Sequence, residues 1–307
     1  MKKPTFILFI LITVLGIQCV RSQSFNDAKV YQNVPADLKI IQVNYGFQDT
    51  KSTLDMSVPL PDKDTKVNVD MIYLRYAQYF NIGGKLSAVQ VALPYAWIDA
   101  DILGRNGSNN GFADMVVVVG SNFIGSDAMT RTELAKTTRK TIFSWSLSTT
   151  VPIGRYSSDK LLNPSNNRWQ FKPELALSIP VNNQFDVELY GNVEFFTTNN
   201  KVSFFSINDE IENLKLEQKP LYSLTGHFSY NFTPYTYATF TTHGRLGGET
   251  KRNTVAQDDS QSLLVLGGSF TSFLSPRFQA TAGYYINTLK HNVSSGQNLK
   301  AGITYLF

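Results

Sequence analysis

The sequence predicts an all-β protein, a transmembrane antiparallel up-and-down β-barrel of about twelve strands that is preceded by a cleaved signal peptide. Three observations favour this fold class. The chain begins with an export signal, it contains long runs in which apolar and polar residues alternate strictly, and the links between these runs alternate between short and long.

Residues 1–22 have the parts of a secretory signal peptide. Basic residues at positions 2 and 3 precede an apolar stretch at 6–17, and Ser22 ends a plausible cleavage site before Gln23. This apolar stretch is shorter than the ~18 residues that a membrane-spanning helix needs, and no later stretch approaches that length. Cys19 opens a lipoprotein alternative, but Gln18 before it fits that processing site poorly.

Removal of residues 1–22 changes the charge and the cysteine content. The segment carries three basic residues and no acidic one, so a formal net charge of +4 falls to +1 in the mature chain. A nearly neutral chain gives no reason to expect a nucleic-acid partner. The only cysteine is also lost, which excludes disulfide and thiol chemistry in the mature protein.

The stretch 168–198 shows the alternation most clearly. In its first run the residues Trp169, Phe171, Leu175 and Ile179 face one side, and charged residues such as Glu174 face the other. A second run follows after the turn residues 181–184 with the same division. Strands of about a dozen residues exceed the usual five or six of soluble proteins, whereas a transmembrane barrel needs roughly 9–11.

The remaining strands are predicted from the same alternation, bounded by turn residues. The predicted spans are 38–48, 67–81, 85–100, 111–125, 141–153, 168–181, 184–199, 214–232, 235–247, 260–275, 277–290 and 297–307. If the first strand leaves the periplasm, the periplasmic links are 81–84, 126–140, 181–184, 232–235 and 275–277. They are tight except for the link 126–140, in which a short helix over 128–136 is the only helical pattern.

Three segments follow from this pattern: a signal peptide at 1–22, a polar N-terminal lead-in at 23–37, and an outer-membrane barrel at 38–307. The lead-in is too short for an independent plug domain but long enough to thread into the lumen. The last strand alternates and ends on Phe307, which resembles the signal recognised by the barrel-assembly machinery of bacterial outer membranes. The expected location is the outer membrane of a diderm (Gram-negative) bacterium, with outer-membrane lipid around the barrel.

Several motifs carry a family resemblance. They are Val91-Ala92-Leu93-Pro94-Tyr95, Gly111-Phe112-Ala113-Asp114, Asn167-Arg168-Trp169-Gln170-Phe171-Lys172-Pro173-Glu174, Val193-Glu194-Phe195-Phe196-Thr197-Thr198-Asn199 and Glu217-Gln218-Lys219-Pro220-Leu221-Tyr222-Ser223-Leu224. In these stretches the chain resembles the outer-membrane β-barrel family named "putative MetA-pathway of phenol degradation". The resemblance covers roughly 70–300 and is strongest at 167–248. It implies a barrel that takes part in the uptake of aromatic or other hydrophobic compounds.

Alternation along the middle strands predicts which side chains line the lumen. The candidates are Arg168, Lys172, Glu174, Glu188, Glu194, His227, His243 and Arg245. Charges in a narrow interior must be paired, hydrogen-bonded or hydrated. One interpretation is a network that braces the wall, and the other is a permeation path that these residues line or gate. Aromatic residues at strand ends (Tyr95, Trp97, Trp169, Phe195, Tyr284) are predicted to form the lipid-interface girdles.

Catalytic and metal sites find little support in the sequence. A barrel lipid hydrolase would need Ser and His in hydrogen-bond contact, but His227 and Ser229, two residues apart on one strand, are separated by about 7 Å. Three scattered His and no retained Cys form no metal-ligand cluster, so no metal or other cofactor is expected.

The function predicted from the sequence is an outer-membrane channel that passes small, hydrophobic or aromatic molecules by passive diffusion. The alternative is a structural or surface-interaction barrel whose lumen is closed by side chains, and a barrel lipid hydrolase is a third, weaker hypothesis. The first two differ in whether the lumen is continuous.

Overall fold

The computed structural model describes residues 27–52, 65–102, 105–205, 211–291, 293 and 295–307. The predicted signal peptide therefore lies outside the described residues. The elements are β1 (Lys39–Ser52), β2 (Thr65–Ile82), β3 (Lys85–Ile102), β4 (Arg105–Phe112), β5 (Met115–Ile124), α1 (Arg131–Leu134), β6 (Ile142–Val151), β7 (Gln170–Pro180), β8 (Phe185–Phe196), β9 (Asn199–Phe205), β10 (Ile211–Gln218), β11 (Leu221–Thr233), β12 (Thr236–Gly247), β13 (Thr250–Arg252), β14 (Val255–Ala256), β15 (Gln261–Ser275), β16 (Phe278–His291) and β17 (Ser295–Leu306).

Twelve of these strands close into one antiparallel barrel, in the order β1, β2, β3, β5, β6, β7, β8, β11, β12, β15, β16 and β17. The ring is completed by β1 and β17, which pair from Ile40 opposite Leu306 to Lys51 opposite Ser295. Each described barrel strand then has a partner on both sides, so that its backbone presents no open edge to lipid. The predicted barrel fold is confirmed.

The two faces of the wall follow the predicted alternation. On β7 and β8 the outward Leu175 and Leu189 are 52% and 46% exposed, whereas the inward Glu174 and Glu188 are buried. Trp97, Trp169, Phe195 and Tyr284 are exposed on the outer surface, as expected of lipid-facing aromatics. In the described part of the chain, no helix is long and apolar enough to cross a membrane.

Two predicted strands have different limits in the structure. The predicted strand 111–125 is divided, because Gly111 and Phe112 belong to β4, which folds back on β3, and the barrel strand β5 starts at Met115. The predicted strand 214–232 is also two elements, β10 and β11, which are separated at Lys219 and Pro220. Proline has no backbone N–H for a ladder, so Pro220 marks the point where the chain leaves the barrel wall.

Two of the predicted external loops contain regular structure. Strand β9 and the first three residues of β10 lie in the predicted external link 199–213, and the rest of β10 lies in the predicted strand 214–232. Strands β13 and β14 lie in the predicted external link 249–259. Together they form a separate four-stranded antiparallel sheet, ordered β14-β13-β10-β9. This sheet, the external sheet, extends the barrel at the end opposite the start of β1.

The links at the other end of the barrel are short turns, apart from the segment between β5 and β6. That segment contains α1, whose N-cap Thr130 forms a capping box with Glu133. Its Arg139 reaches Asn183 and Asp186 at the β7–β8 turn. The long link therefore covers part of the periplasmic mouth of the barrel.

We expect Gly125→Ala, at the start of this link, to destabilise the barrel by at least about 3 kcal/mol. Gly125 has a φ of +80°, and an added Cβ would lie 1.8 Å from the Thr141 carbonyl oxygen. Gly84→Ala is the matched control, because Gly84 has a φ of +81° but nothing within 4 Å. It should cost only about 1 kcal/mol. Urea unfolding in lipid vesicles measures the free energy of unfolding of both variants. Equal losses in the two variants would contradict the packing of this link against Thr141.

Candidate functional site

Residues 27–37, hereafter the plug, enter the lumen from the periplasmic end instead of remaining outside it. The plug is tied to the long link by a hydrogen bond from the Ala36 N–H to the Met129 carbonyl, 2.9 Å long. From there it runs inward until Asp27, Lys29 and Tyr31 contact different parts of the wall. The lumen is thus narrowed by the protein's own N-terminal segment.

Tyr31 attaches the plug to β6 and β7. Its hydroxyl donates to Glu174 Oε1 at 2.6 Å and lies 2.7 Å from Ser146 Oγ. Asn192 Nδ2 donates to the other Glu174 oxygen at 2.9 Å, so both carboxylate oxygens have partners. The Tyr31 ring packs edge-on against Tyr190, with centroids 5.1 Å apart.

Lys29 attaches the plug to β8 and β11. Its backbone N–H donates to Glu188 Oε2 at 2.7 Å, and its ammonium lies 3.0 Å from Asp186 Oδ2. The same ammonium contacts Asn231 and lies 4.0 Å from the centre of the Tyr237 ring. Because Asp186 and Glu188 are almost completely buried, these contacts supply the positive charge and the donors that buried carboxylates require.

Asp27 completes the attachment on the opposite side of the barrel. Its carboxylate accepts a hydrogen bond of 2.6 Å from the ammonium of Lys300 on β17, a lysine that is 5% exposed. The plug therefore bridges β17 on one side and β6, β7, β8 and β11 on the other. Such a bridge fixes the chain across the lumen.

The eight predicted lumen residues all lie on the inner side of the barrel, but in two groups. The group in contact with the plug or with Tyr190 contains Glu174, Glu188 and His227. The group nearer the external end contains Arg168, Lys172, Glu194, His243 and Arg245. Their role in permeation stays a prediction.

Two histidines, on β11 and β12, are each hydrogen-bonded to a threonine on the neighbouring strand. His227 Nδ1 lies 2.9 Å from Thr241 Oγ1, and His243 Nδ1 lies 2.8 Å from Thr225 Oγ1. Ser229 is bonded to Thr239 at 2.8 Å instead of to His227. These cross-strand bonds satisfy buried polar groups and brace the wall.

Arg168 lies just before β7 and joins the barrel to the external sheet. Its guanidinium donates to Gln218 Oε1 at 2.6 Å and lies 4.6 Å from the centre of the Phe196 ring. Gln218 in turn donates to the Gly248 carbonyl at 2.9 Å. On β12, Arg245 reaches Gln261 at 3.4 Å. These side chains narrow the external mouth.

A cleft remains open beside the plug. It holds about 590 Å³ of space not filled by protein atoms, including space open to solvent. Its walls are the plug on one side and β2, β3, β5 and β6 on the other. The lining residues include Val30, Tyr31, Gln32, Arg75, Tyr79, Leu86, Ala88, Gln90, Val118, Gly120, Asn122 and Ser146.

Asp114, in the motif Gly111-Phe112-Ala113-Asp114, organises the external segment 152–169. Its carboxylate accepts hydrogen bonds from the Gly154 N–H at 3.1 Å, the Ser165 hydroxyl at 2.6 Å and the Asn166 N–H at 2.9 Å. Burial nevertheless raises the pKa of Asp114 above its ordinary value. The motif therefore fixes the segment that lies over the lumen between β6 and β7.

Several residues of this site were missing from the predicted set. Asp186 and Lys300 lie at inward positions of alternating strands, so the same pattern that predicted Glu188 could have found them. Asp27, Lys29 and Tyr31 lie in a segment without periodicity, and no sequence signal indicated which wall residues they contact.

We expect Tyr31→Phe to loosen the plug, because it removes the hydroxyl that bonds both Glu174 and Ser146. The measurement is the rate at which a water-soluble maleimide modifies Val30→Cys in the folded mature barrel, and we expect a rise of about five-fold. Tyr45→Phe is the control, since the Tyr45 hydroxyl bonds Asp70 on the outer surface. An unchanged rate in Tyr31→Phe would contradict this anchoring.

We expect Asp114→Asn to release the segment 152–169, at a cost of about 2 kcal/mol in charge-assisted hydrogen bonds. Trypsin should then cleave after the exposed Lys160 faster than in the wild type. Asp99→Asn, an exposed carboxylate on β3, should leave the cleavage rate unchanged. Equal rates in the two variants would show that Asp114 does not hold the segment.

The fold is shared with solved outer-membrane proteins. The chain superposes on the COG4313 outer membrane channel from Pseudomonas putida F1 with a TM-score of 0.78 and 18% identity, over 92% of this chain and 100% of that one. The transport unit of the autotransporter AIDA-I from Escherichia coli gives 0.53 and 9%, over 96% of each chain. The TodX deltaS2S3 mutant monoaromatic hydrocarbon channel gives 0.50 and 9%, over 89% and 90%.

These likenesses agree with the physical character of the wall. A closed barrel with an apolar outer face and internally satisfied backbone is the β-structure that crosses a bilayer, which places this protein in an outer membrane. No curated protein sequence is significantly similar to the chain. The family described as "Putative MetA-pathway of phenol degradation" matches residues 44–301, and the chain belongs to this family.

Proposed function

We propose that the protein is a passive outer-membrane channel for small hydrophobic or aromatic molecules. The observation that carries the proposal is the cleft between the plug and the β2–β5 wall, since the plug contacts the polar wall and leaves space on the other side. The family membership and the likeness to barrels whose titles name them as channels support it. The plug would then set the size of what passes.

A non-enzymatic role is part of this proposal. The solved barrels compared above are described as channels or transport units. The described His–Ser pair nearest in sequence, His227 and Ser229, has its hydrogen bonds directed to Thr241 and Thr239. Among the described residues, no group of three or more His, Cys, Asp or Glu could hold a metal ion.

We propose that the barrel-assembly machinery is the partner that inserts this barrel. The support is the barrel-closing strand β17, whose outward Leu299 and Ile303 are exposed, together with the exposed Phe307 directly after it. An exposed aromatic at the end of a barrel-closing strand is available to a protein that binds the strand before closure.

We expect planar-bilayer recordings of the refolded mature protein to show small discrete conductance steps. In Glu174→Ala the plug loses the hydrogen bond between Tyr31 and Glu174, so the steps should grow at least about two-fold. Asp99→Asn is the control, because Asp99 lies exposed on the outer face of β3. If the barrel is folded and heat-modifiable but shows no conductance, and Glu174→Ala shows none either, the structural barrel with a closed lumen is favoured.

A further inference from the structure

The inner wall formed by β2, β3 and β5 is apolar over almost its full height. Its inward residues are Val67, Val69, Met71, Tyr73, Ala77 and Tyr79 on β2; Leu86, Ala88, Ala92, Pro94, Ala96, Ile98 and Ala100 on β3; and Val116, Val118 and Gly120 on β5. We call this surface the apolar strip. Arg75, Gln90 and Asn122 interrupt it, and Arg75 donates a hydrogen bond of 3.3 Å to Gln90.

The opposite wall is polar at the same heights. The inward positions of β7, β8, β11 and β12 carry carboxylates, histidines and hydroxyl groups, including Glu174, Glu188, His227 and Thr241. If the inward side chains served only to fill the lumen, its walls could be polar or apolar throughout. Here the plug bonds to the polar wall, and the lower part of the apolar strip, around Tyr79, Leu86 and Val118, faces the cleft.

The external end of the apolar strip is covered by one side chain of the segment 152–169. Leu162 packs with Val69, Met71 and Ile98 in a buried cluster. Its carbonyl accepts a hydrogen bond of 2.6 Å from Asn109 Nδ2 on β4, which holds it in place. Leu162 therefore occupies a position that an apolar molecule of similar size could take.

The lower part of the strip opens into the cleft beside Val30 and Gln32, where Arg75 supplies a polar group. Its Nε is buried and has no hydrogen-bond partner among the described residues. An unpartnered buried donor has a large cost unless something accepts from it. A molecule in the cleft with one acceptor oxygen would satisfy this donor while its apolar body lies against the strip.

We propose that the apolar strip is the binding and transit surface for an uncharged aromatic molecule with a single acceptor oxygen. The molecule displaces Leu162 at the external end, moves along the strip and bonds Arg75 Nε in the cleft. The inference rests on the proposed function and names the substrate class and the residues that select it. Met71, Ile98 and Leu162 select for an apolar body, and Arg75 selects for the oxygen.

The test uses vesicles that contain the mature protein and have lipopolysaccharide in the outer leaflet, which hydrophobic molecules cross slowly without a channel. Naphthalene and 1-naphthol are the probes, and their flux into protein-free vesicles is subtracted. Met71→Gln and Ile98→Asn place polar groups on the strip without adding bulk, and should lower the flux of both probes about five-fold or more. Leu221→Asn is the matched control: Leu221 is a fully buried inward residue on the opposite, polar wall. It should leave both fluxes unchanged.

Arg75→Met tests the polar contact separately. It should lower the flux of 1-naphthol at least about five-fold and leave that of naphthalene unchanged, because only 1-naphthol offers an oxygen to Arg75. Single-channel conductance of each variant, with heat-modifiability on gels, verifies that the barrel is folded and conducting.

The outcomes separate this inference from the proposed function. If Met71→Gln, Ile98→Asn and Leu221→Asn all pass both probes as fast as the wild type, the apolar strip is not the transit surface. The proposed channel function would still stand. Equal losses of the two probes in Arg75→Met would overturn the role of Arg75. A folded wild type with conductance but no flux of either probe would overturn the hydrophobic substrate class itself.

Discussion

The structure depends on one constraint, which is that a sheet inside a bilayer has no water to satisfy its backbone. The pairing of β1 with β17 meets this constraint by closing the ring, so that each barrel strand bonds on both sides. At Pro173 the backbone pairing between β7 and β8 is interrupted. Pro173 pairs with Leu147 on β6, but the β7–β8 pairing passes directly from Phe171 to Glu174, because proline has no N–H to give.

Closure also creates an interior that must be stabilised. The inward face of β7 and β8 holds carboxylates, and a buried carboxylate without partners is costly. The plug supplies the partners, with Lys29 for Asp186 and Glu188 and with Tyr31 for Glu174. The acidic wall thus determines where the plug lies, and the plug determines where open space remains. The path for a solute is consequently the apolar strip.

Much of the barrel could be predicted from the sequence, because the side-chain period of a strand is a local property. Alternation placed Glu174 and Glu188 inside and Leu175 outside without any tertiary information. The external sheet could not be predicted in this way. Its short strands β13 and β14 have only three and two residues, and their pairing with β10 joins distant parts of the chain.

The plug was equally hard to predict in detail. Tyr31 and Glu174 are 143 residues apart, and Lys29 and Glu188 are 159 apart, so no local pattern connects them. Only the possibility that the short lead-in could thread into the lumen followed from its length. The alternating residues of β2 and β3 include an apolar inward face. The sequence alone does not show that this face lies beside the cleft, because the position of the plug depends on contacts between distant parts of the chain.

The plug lies across the lumen, beside an open cleft through which current would pass. The most direct measurement records single-channel current through Gln32→Cys while a positively charged methanethiosulfonate reagent is added, because Gln32 lines the cleft. We expect a stepwise drop in current in Gln32→Cys. We expect no change in Asp37→Cys, whose position is exposed near the start of β1. An unchanged current in a Gln32→Cys channel that mass spectrometry shows to be modified would contradict this position of the plug.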